Sequence, residues 1–237
     1  MREAGRVSAR VLRLVGEAVR PGVSTEELDE LAETVIREAG GIPAFKGYHG
    51  FPKTLCTSVN EQVVHGIPSS MVELTEGDIL SVDVGAIVDG YYGDNARTFA
   101  VSTVSVDAHR LLEATAASLD AGIAQCVVGK RVSDIGHVVQ AVAEAAGFSV
   151  VREYVGHGIG RDMHEDPNVP NYGLAGKGPK LEEGMVLAIE PMINAGGAPV
   201  ESLADGWTVV TQDGSLSAHF EHTVAITAHG PLILTVE

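Results

Sequence analysis

The chain has 237 residues, 45% hydrophobic and 20% charged, which allows a full core and excludes wholesale disorder or a coiled-coil rod. Its 32 acidic residues against 16 basic ones give a formal net charge of −16, which disfavours non-specific attraction to nucleic acid or anionic lipid as a main activity and leaves cation binding open. No apolar run approaches the roughly 18 residues of a membrane helix, and two cysteines outside any CxxC pair, Cys56 and Cys126, fit a reducing, cytoplasmic setting.

Residues 2 to 19 place Val7, Val11, Leu14, Val15 and Ala18 at helical spacing without the uninterrupted apolar core of a signal peptide, so an amphipathic helix is expected there. Ser24 followed three residues later by Glu27 predicts a capping box, opening a helix that buries Leu28, Leu31, Ala32, Val35 and Ile36 and ends at Gly40-Gly41. A β-like stretch spans about 42 to 68, and strands 79 to 86 and 91 to 101 flank the hairpin signal Asp89-Gly90. Helices are expected over 107 to 127 and 132 to 146, then strands over 148 to 155, 185 to 193, 206 to 212 and 217 to 227, with Asp213-Gly214 turning the last pair.

Shifting the sequence by 107 positions superposes its halves. Leu28, Leu31, Ala32, Val35 and Gly40 fall on Ile135, Val138, Val139, Val142 and Gly147, and Glu76-Gly77 falls on Glu183-Gly184. Asp83 falls on Glu190. The fold class expected is therefore α+β, two pseudo-twofold helix-plus-hairpin halves (about 22–101 and 129–227) in a single domain over 1–237, with a shared central antiparallel sheet.

Asp83 lies between Val82 and Val84 in an apolar strand, where burying a lone carboxylate is costly without a compensating cation. Across the hairpin, Asp94 becomes its near-diagonal neighbour, although Asp94 alone also reads as a residue of a polar turn. The second half repeats the pattern with Glu190 and Glu221, on a hairpin about 20 residues longer that contains Trp207. His157, in Gly-His-Gly-Ile-Gly, adds an imidazole that alone reads more readily as structural. Together, four carboxylates and one histidine suit two ions such as Mn²⁺, Fe²⁺ or Co²⁺.

These residues sit in segments that strongly resemble bacterial type I methionine aminopeptidases over nearly the whole chain: YHGFPKTLCTSVNEQVVHGIP from Tyr48, SVDVGAIVDGYYGDNARTF from Ser81, GHGIGRDMHEDPNVPNYG from Gly156, LAIEPM from Leu187 and SAHFEHTV from Ser217. The resemblance implies the curved "pita-bread" fold, two divalent ions (Co, Mn or Fe) on Asp83, Asp94, His157, Glu190 and Glu221, and removal of N-terminal methionine ahead of a small second residue by a metal-bridging hydroxide. It implies that Glu190 shuttles the proton, that His164 stabilises the developing oxyanion, and that His65 hydrogen-bonds the peptide; for both histidines, positioning without proton transfer stays open. It places Tyr48, Phe51, Cys56, Met163 and Trp207 around the methionine side chain, although Cys56 reads equally as a plain buried residue. Phe45 and Met163 depart from the usual pattern and put pocket shape in question. A monovalent-cation site is implied near Asn60, Gln62 and Ser217.

Two rival readings share the fold. A proline-specific aminopeptidase or dipeptidase usually carries an added N-terminal domain and another histidine pattern, and a non-catalytic peptide- or ribosome-binding protein that kept the fold but lost its metals normally lacks one or more ligands. The expected partners are the N-termini of nascent polypeptides. No nucleic-acid specificity and no membrane association are expected; the charge leaves room for a specific, transient ribosome contact, and a monomer is expected.

Overall fold

The computed structural model describes residues 1–237. Helix α1 covers Arg2–Ala18 and α2 covers Thr25–Glu38. The predicted capping box is present: Ser24 Oγ accepts the Glu27 N–H at 3.2 Å, and the Glu27 carboxylate accepts the Ser24 N–H at 2.8 Å. Strands β1 (Ile42–Pro43), β2 (Leu55–Val59), β3 (Gln62–Val64), β4 (Ile79–Val88) and β5 (Tyr91–Ala100) complete the first half. Asp89 and Gly90 turn β4 into β5 with both φ angles positive, at 53° and 74°, which suits the right-handed twist of the flanking strands.

The second half begins with α3 (Val106–Ile123) and α4 (Val132–Ala145). It continues through β6 (Ser149–Val150), β7 (Gly156–Gly158), β8 (Glu165–Val169), β9 (Val186–Ile189) and β10 (Met192–Asn194). Strands β11 (Val200–Ser202), β12 (Val209–Thr211), β13 (Ser217–His219), β14 (Glu221–Thr227) and β15 (Gly230–Ile233) end the chain. The main antiparallel sheet runs β1-β4-β5-β14-β9-β7-β8, with β2 also on β4 and β15 also on β14; β13-β10-β6 and β11-β12-β3 form two smaller sheets. This is the expected α+β architecture.

The 107-residue repeat is physical. Bridges Ser24↔Glu73 and Arg131↔Lys180 differ by that offset at both ends, as do the left-handed glycines Gly77 (φ 97°) and Gly184 (φ 93°). Each half lays two helices on one sheet face. Val11, Val15, Leu28 and Ile36 pack against Leu80, Val82 and Val84, while Leu119, Ile135 and Val139 pack against Leu187, Ile189 and Val224. Full burial of such side chains stabilises by about 1.5–3 kcal/mol each. Because side chains alternate along a strand, the same packing turns Asp83 to the opposite, helix-free face.

Several sequence expectations need correction. The stretch 42 to 68 holds only short strands separated by a 3₁₀ turn at Tyr48–Gly50, and 148 to 155 keeps two strand residues. The expected strand 185 to 193 breaks at Glu190-Pro191, where proline offers no N–H to a ladder, and 217 to 227 breaks opposite it at Phe220. At both breaks the chain passes between the main sheet and the sheet containing β10 and β13. The 206 to 212 strand shrinks to β12, and Asp213-Gly214 does not turn a hairpin: β12 pairs with β11 and β3, whereas β13 pairs with β10. Strands β7, β8, β11 and β15 escape the sequence reading because they are short, glycine-bearing or largely exposed.

Candidate active and metal site

The helix-free face is built row by row. Across β2, β4 and β5, Cys56, Asp83 and Ala96 stand directly opposite one another, and the next same-face row places Gly85 opposite Asp94. Asp83 and Asp94 are thus the diagonal neighbours the hairpin predicts. The second hairpin uses a different register. His222 pairs with Ile189, which sets Glu221 beside Glu190 rather than two positions away. Thr98 and Thr223 make reciprocal clamps across the central strands: Thr98 Oγ1 bonds the main chain of His219 at 2.8 and 3.0 Å, and Thr223 Oγ1 bonds that of Asp94 at 2.8 and 3.0 Å. His219 therefore answers to Asp94 under the pseudo-twofold. The repeat equates Asp83 with Glu190 but not Asp94 with Glu221.

Ligand atoms of Asp94, His157 and Glu221 all lie within 4.8 Å of one another. His157 Nε2 is 3.4 Å from Glu190 Oε1 and 4.0 Å from Asp94 Oδ2. Its Nδ1 lies 2.8 Å from the Gly158 carbonyl, an acceptor only, so Nδ1 carries the proton and Nε2 presents a free lone pair. The glycines flanking His157 do more than leave the ring accessible. A Cβ on Gly156 would lie 2.3 Å from the Ala188 oxygen, and one on Gly158 would lie 2.2 Å from the Asp166 oxygen, so both are needed for β8 and β9 to close on β7.

Burial, with mutual repulsion second, pushes Asp83 and Glu190 far above the usual carboxylate range, and Glu221 likewise. Burial raises Asp94 to about 7, against the opposing pull of the Asn95 N–H and of Asp83. The same desolvation drops His157 to about 4. Asp83 Oδ1 and Glu221 Oε1 are buried without a hydrogen-bond partner. Orphaned oxygens among crowded acids and a deprotonated imidazole nitrogen fit divalent cations: ionised, the set lacks positive charge, and it offers oxygen and nitrogen donors without a thiolate.

Beside these groups opens a cavity of about 260 Å³. Phe45, Tyr48, Phe51, Cys56, Met163 and Trp207 form its wall, and His65 and His164 reach it from two sides. Every residue singled out from the sequence as a divalent-metal ligand or substrate contact lines this one space. Phe51 and Trp207 meet edge to face at 5.1 Å, and His65 stands edge-on to Tyr154 at 5.6 Å. Burial lowers His65 to about 4. His164 lies 4.3 Å from the His157 ring centroid, with its Nδ1 2.8 Å from the Tyr48 hydroxyl; burial lowers its pKa as well.

His49 also lines the cavity, and Thr223, Tyr154 and His219 support the site; none was singled out from the sequence. Thr223 carried a usable signal, since it follows Glu221 by two positions in one strand. The approach of His219 Nε2 to Glu190 Oε2, at 3.8 Å, follows from the strand break and has no local signature. Asn60 and Ser217 do come together, the Ser217 N–H donating to the Asn60 carbonyl at 2.9 Å. The side chains of Asn60, Gln62 and Ser217 are engaged in internal bonds, so a monovalent cation there would rely on main-chain oxygens.

The sequence profile of metallopeptidase family M24 matches residues 1–228. The methionine aminopeptidase of Clostridium acetobutylicum is 55% identical over 236 residues, covering 100% of this chain and 94% of that protein. The crystal structure of a methionine aminopeptidase from Thermotoga maritima superposes with a TM-score of 0.99 at 46% identity, over 100% of this chain and 95% of that one. A prolidase from Pyrococcus horikoshii, at 21% identity and a TM-score of 0.79 over 100% of this chain and 61% of its own, shares the fold alone.

Proposed function

Because the chain belongs to metallopeptidase family M24, we propose that it removes the N-terminal methionine of proteins and peptides, with a small second residue preferred. Identity of 55% over the full chain to a methionine aminopeptidase is the observation that carries this reading, and it weighs against the proline-specific rival. The full set of five ligand-type residues weighs against a non-catalytic relative.

Asp83, Asp94, His157, Glu190 and Glu221 would hold two divalent ions, with Mn, Fe or Co the fitting identities. Bound there, such ions supply Lewis-acid charge that activates water and polarises the scissile carbonyl. The chain's own residues do the rest. The wall from Phe45 to Trp207 takes the methionine side chain, and Met163 adapts its shape to the thioether. In the tautomer where the Tyr48 hydroxyl, 2.8 Å away, donates to Nδ1, His164 carries its proton on Nε2 and offers it to the oxygen that gains charge. His65, neutral after burial, holds the peptide by a single hydrogen bond. Glu190, on the cavity wall and ionised beside the cations it would help to hold, takes the proton from water and passes it to the leaving amine.

Around this chemistry, residues 1–237 act as one catalytic domain, a cytoplasmic monomer with at most transient ribosome contact and a monovalent cation near Asn60, Gln62 and Ser217. No helix is long and apolar enough to cross a membrane. Glu190→Gln tests the assignment: turnover of Met-Ala-Ser falls by roughly 10²-fold or more while peptide binding persists. Near wild-type turnover with full metal content removes Glu190 from proton transfer.

A further inference from the structure

On the helix-covered face, directly behind the ligand-bearing strands, lies a second and larger cavity of about 530 Å³ between α1 and α3. Its apolar surface comes from Leu12, Phe99, Leu119 and Phe220, and its polar groups include Asn95, Arg97, Asp120 and His222. Asn95 is 3% exposed, and its side-chain amide makes no hydrogen bond within the protein, while its main-chain N–H donates to the Asp94 carboxylate. The amide opens onto the cavity, where water or a ligand can satisfy it. Arg97 rests over the Phe99 ring at 5.6 Å and pairs with no carboxylate, and Asp120 pairs with no cation. Both line this cavity together with His222, whose Nδ1 is already bonded to the Thr235 hydroxyl. Arg13, at the same cavity, is held by both Glu17 and Glu237 at 2.8 Å, and Glu221 is shared with the front cavity, so Arg97 and Asp120 are the charges here without an ion-pair partner or a front-face role.

We propose that this cavity is a binding site for a small zwitterion with an apolar body, a free amino acid or short peptide, its carboxylate on Arg97, its ammonium on Asp120 and its remaining polar atoms on Asn95. The volume suits such a ligand. One unpaired cation, one unpaired anion and one unpaired amide above aromatic and aliphatic walls complement both charges of a zwitterion, whereas a purely anionic or cationic ligand would leave one protein charge facing it unfavourably. The site is also mechanically coupled to the front face. Asn95 and His222 are register partners, and their chain neighbours Asp94 and Glu221 point into the other cavity.

Titration calorimetry of the metal-loaded full chain tests this with L-phenylalanine and glycyl-L-phenylalanine, and with N-acetyl-L-phenylalaninamide as the charge-blocked control. Saturable binding of either zwitterion is expected, the stronger of the two identifying the charge spacing, with no binding of the control. Arg97→Gln and Asp120→Asn, both at exposed positions, each weaken it by roughly tenfold through loss of one charge-assisted contact. Absence of saturable binding, equal binding of the control, or affinity unchanged by both substitutions overturns the proposal. Arg97 and Asp120 lie outside the front cavity, so heat lost in their variants separates this site from binding or cleavage at the front one.

Discussion

Replacing Gly85 by alanine probes the wall of the front cavity at its tightest point. Gly85 sits opposite Asp94 on the ligand-bearing face, and a Cβ there would lie 2.7 Å from Phe45 Cε1, 2.8 Å from Ala44 Cβ and 3.1 Å from Met163 Cε. The Met163 end can swing away, but Ala44 Cβ cannot move without its backbone, which is paired to β4 through the Ala44 N–H and the Gly85 carbonyl at 2.9 Å. Overpacking of this kind costs about 1–3 kcal/mol. In a chain of this size that lowers the melting midpoint by about 2–4 °C per kcal/mol. Phe45 and Met163 are displaced into the space assigned to the methionine side chain, so KM for Met-Ala-Ser rises several-fold while kcat changes less. Phe45→Leu in the same chain relieves the clash and recovers part of both losses, a coupling read by a double-mutant cycle. A Gly85→Ala variant with wild-type melting, KM and kcat refutes both the packing and the placement of the methionine side chain.

Three further outcomes are expected. Asp29 on α2 accepts the buried N–H groups of Thr54 and Leu55 at 2.8 and 2.7 Å; Asp29→Ala strands both and destabilises by about 2–5 kcal/mol, measured by denaturant melts, and a loss within error contradicts the bonding. Asp94 in the metal-free chain, raised to about 7 by burial, is protonated and non-ligating below that pH, so divalent-metal affinity climbs as pH rises through 7 and binding releases protons. Calorimetry in buffers of different ionisation enthalpy reads that release, and a flat profile across the same pH range counts against the ligand set. His157→Gln removes the lone pair that Gly158 orients and lowers metal content after gel filtration, whereas His65→Gln, which lies outside the ligand set, leaves metal content intact and changes KM or kcat.

What was legible in the sequence follows from how local each signal is. The Ser24–Glu27 cap, the Asp89-Gly90 turn and the alternation around Asp83 are settled by a few neighbouring residues, and all three appear as read. Long range is where the reading fails. The breaks at Pro191 and Phe220 arise because the chain changes sheets, which no periodicity records, and they give Glu221 a register that the simple repeat does not supply. The glycines around His157 look like openness in sequence but serve strand approach from both sides. Tyr154 against His65, His219 beside Glu190 and the unpartnered Asn95 amide are products of tertiary packing alone.

The most direct measurement is peptide cleavage by metal-stripped protein, with and without added Mn²⁺, Fe²⁺ or Co²⁺, on Met-Ala-Ser, Ala-Ala-Ser and Met-Leu-Ser. Metal-dependent release of methionine from the first peptide, with little from the others, is the predicted result. Cleavage of Met-Ala-Ser that survives stripping, or none with any ion despite stoichiometric metal binding, contradicts the account.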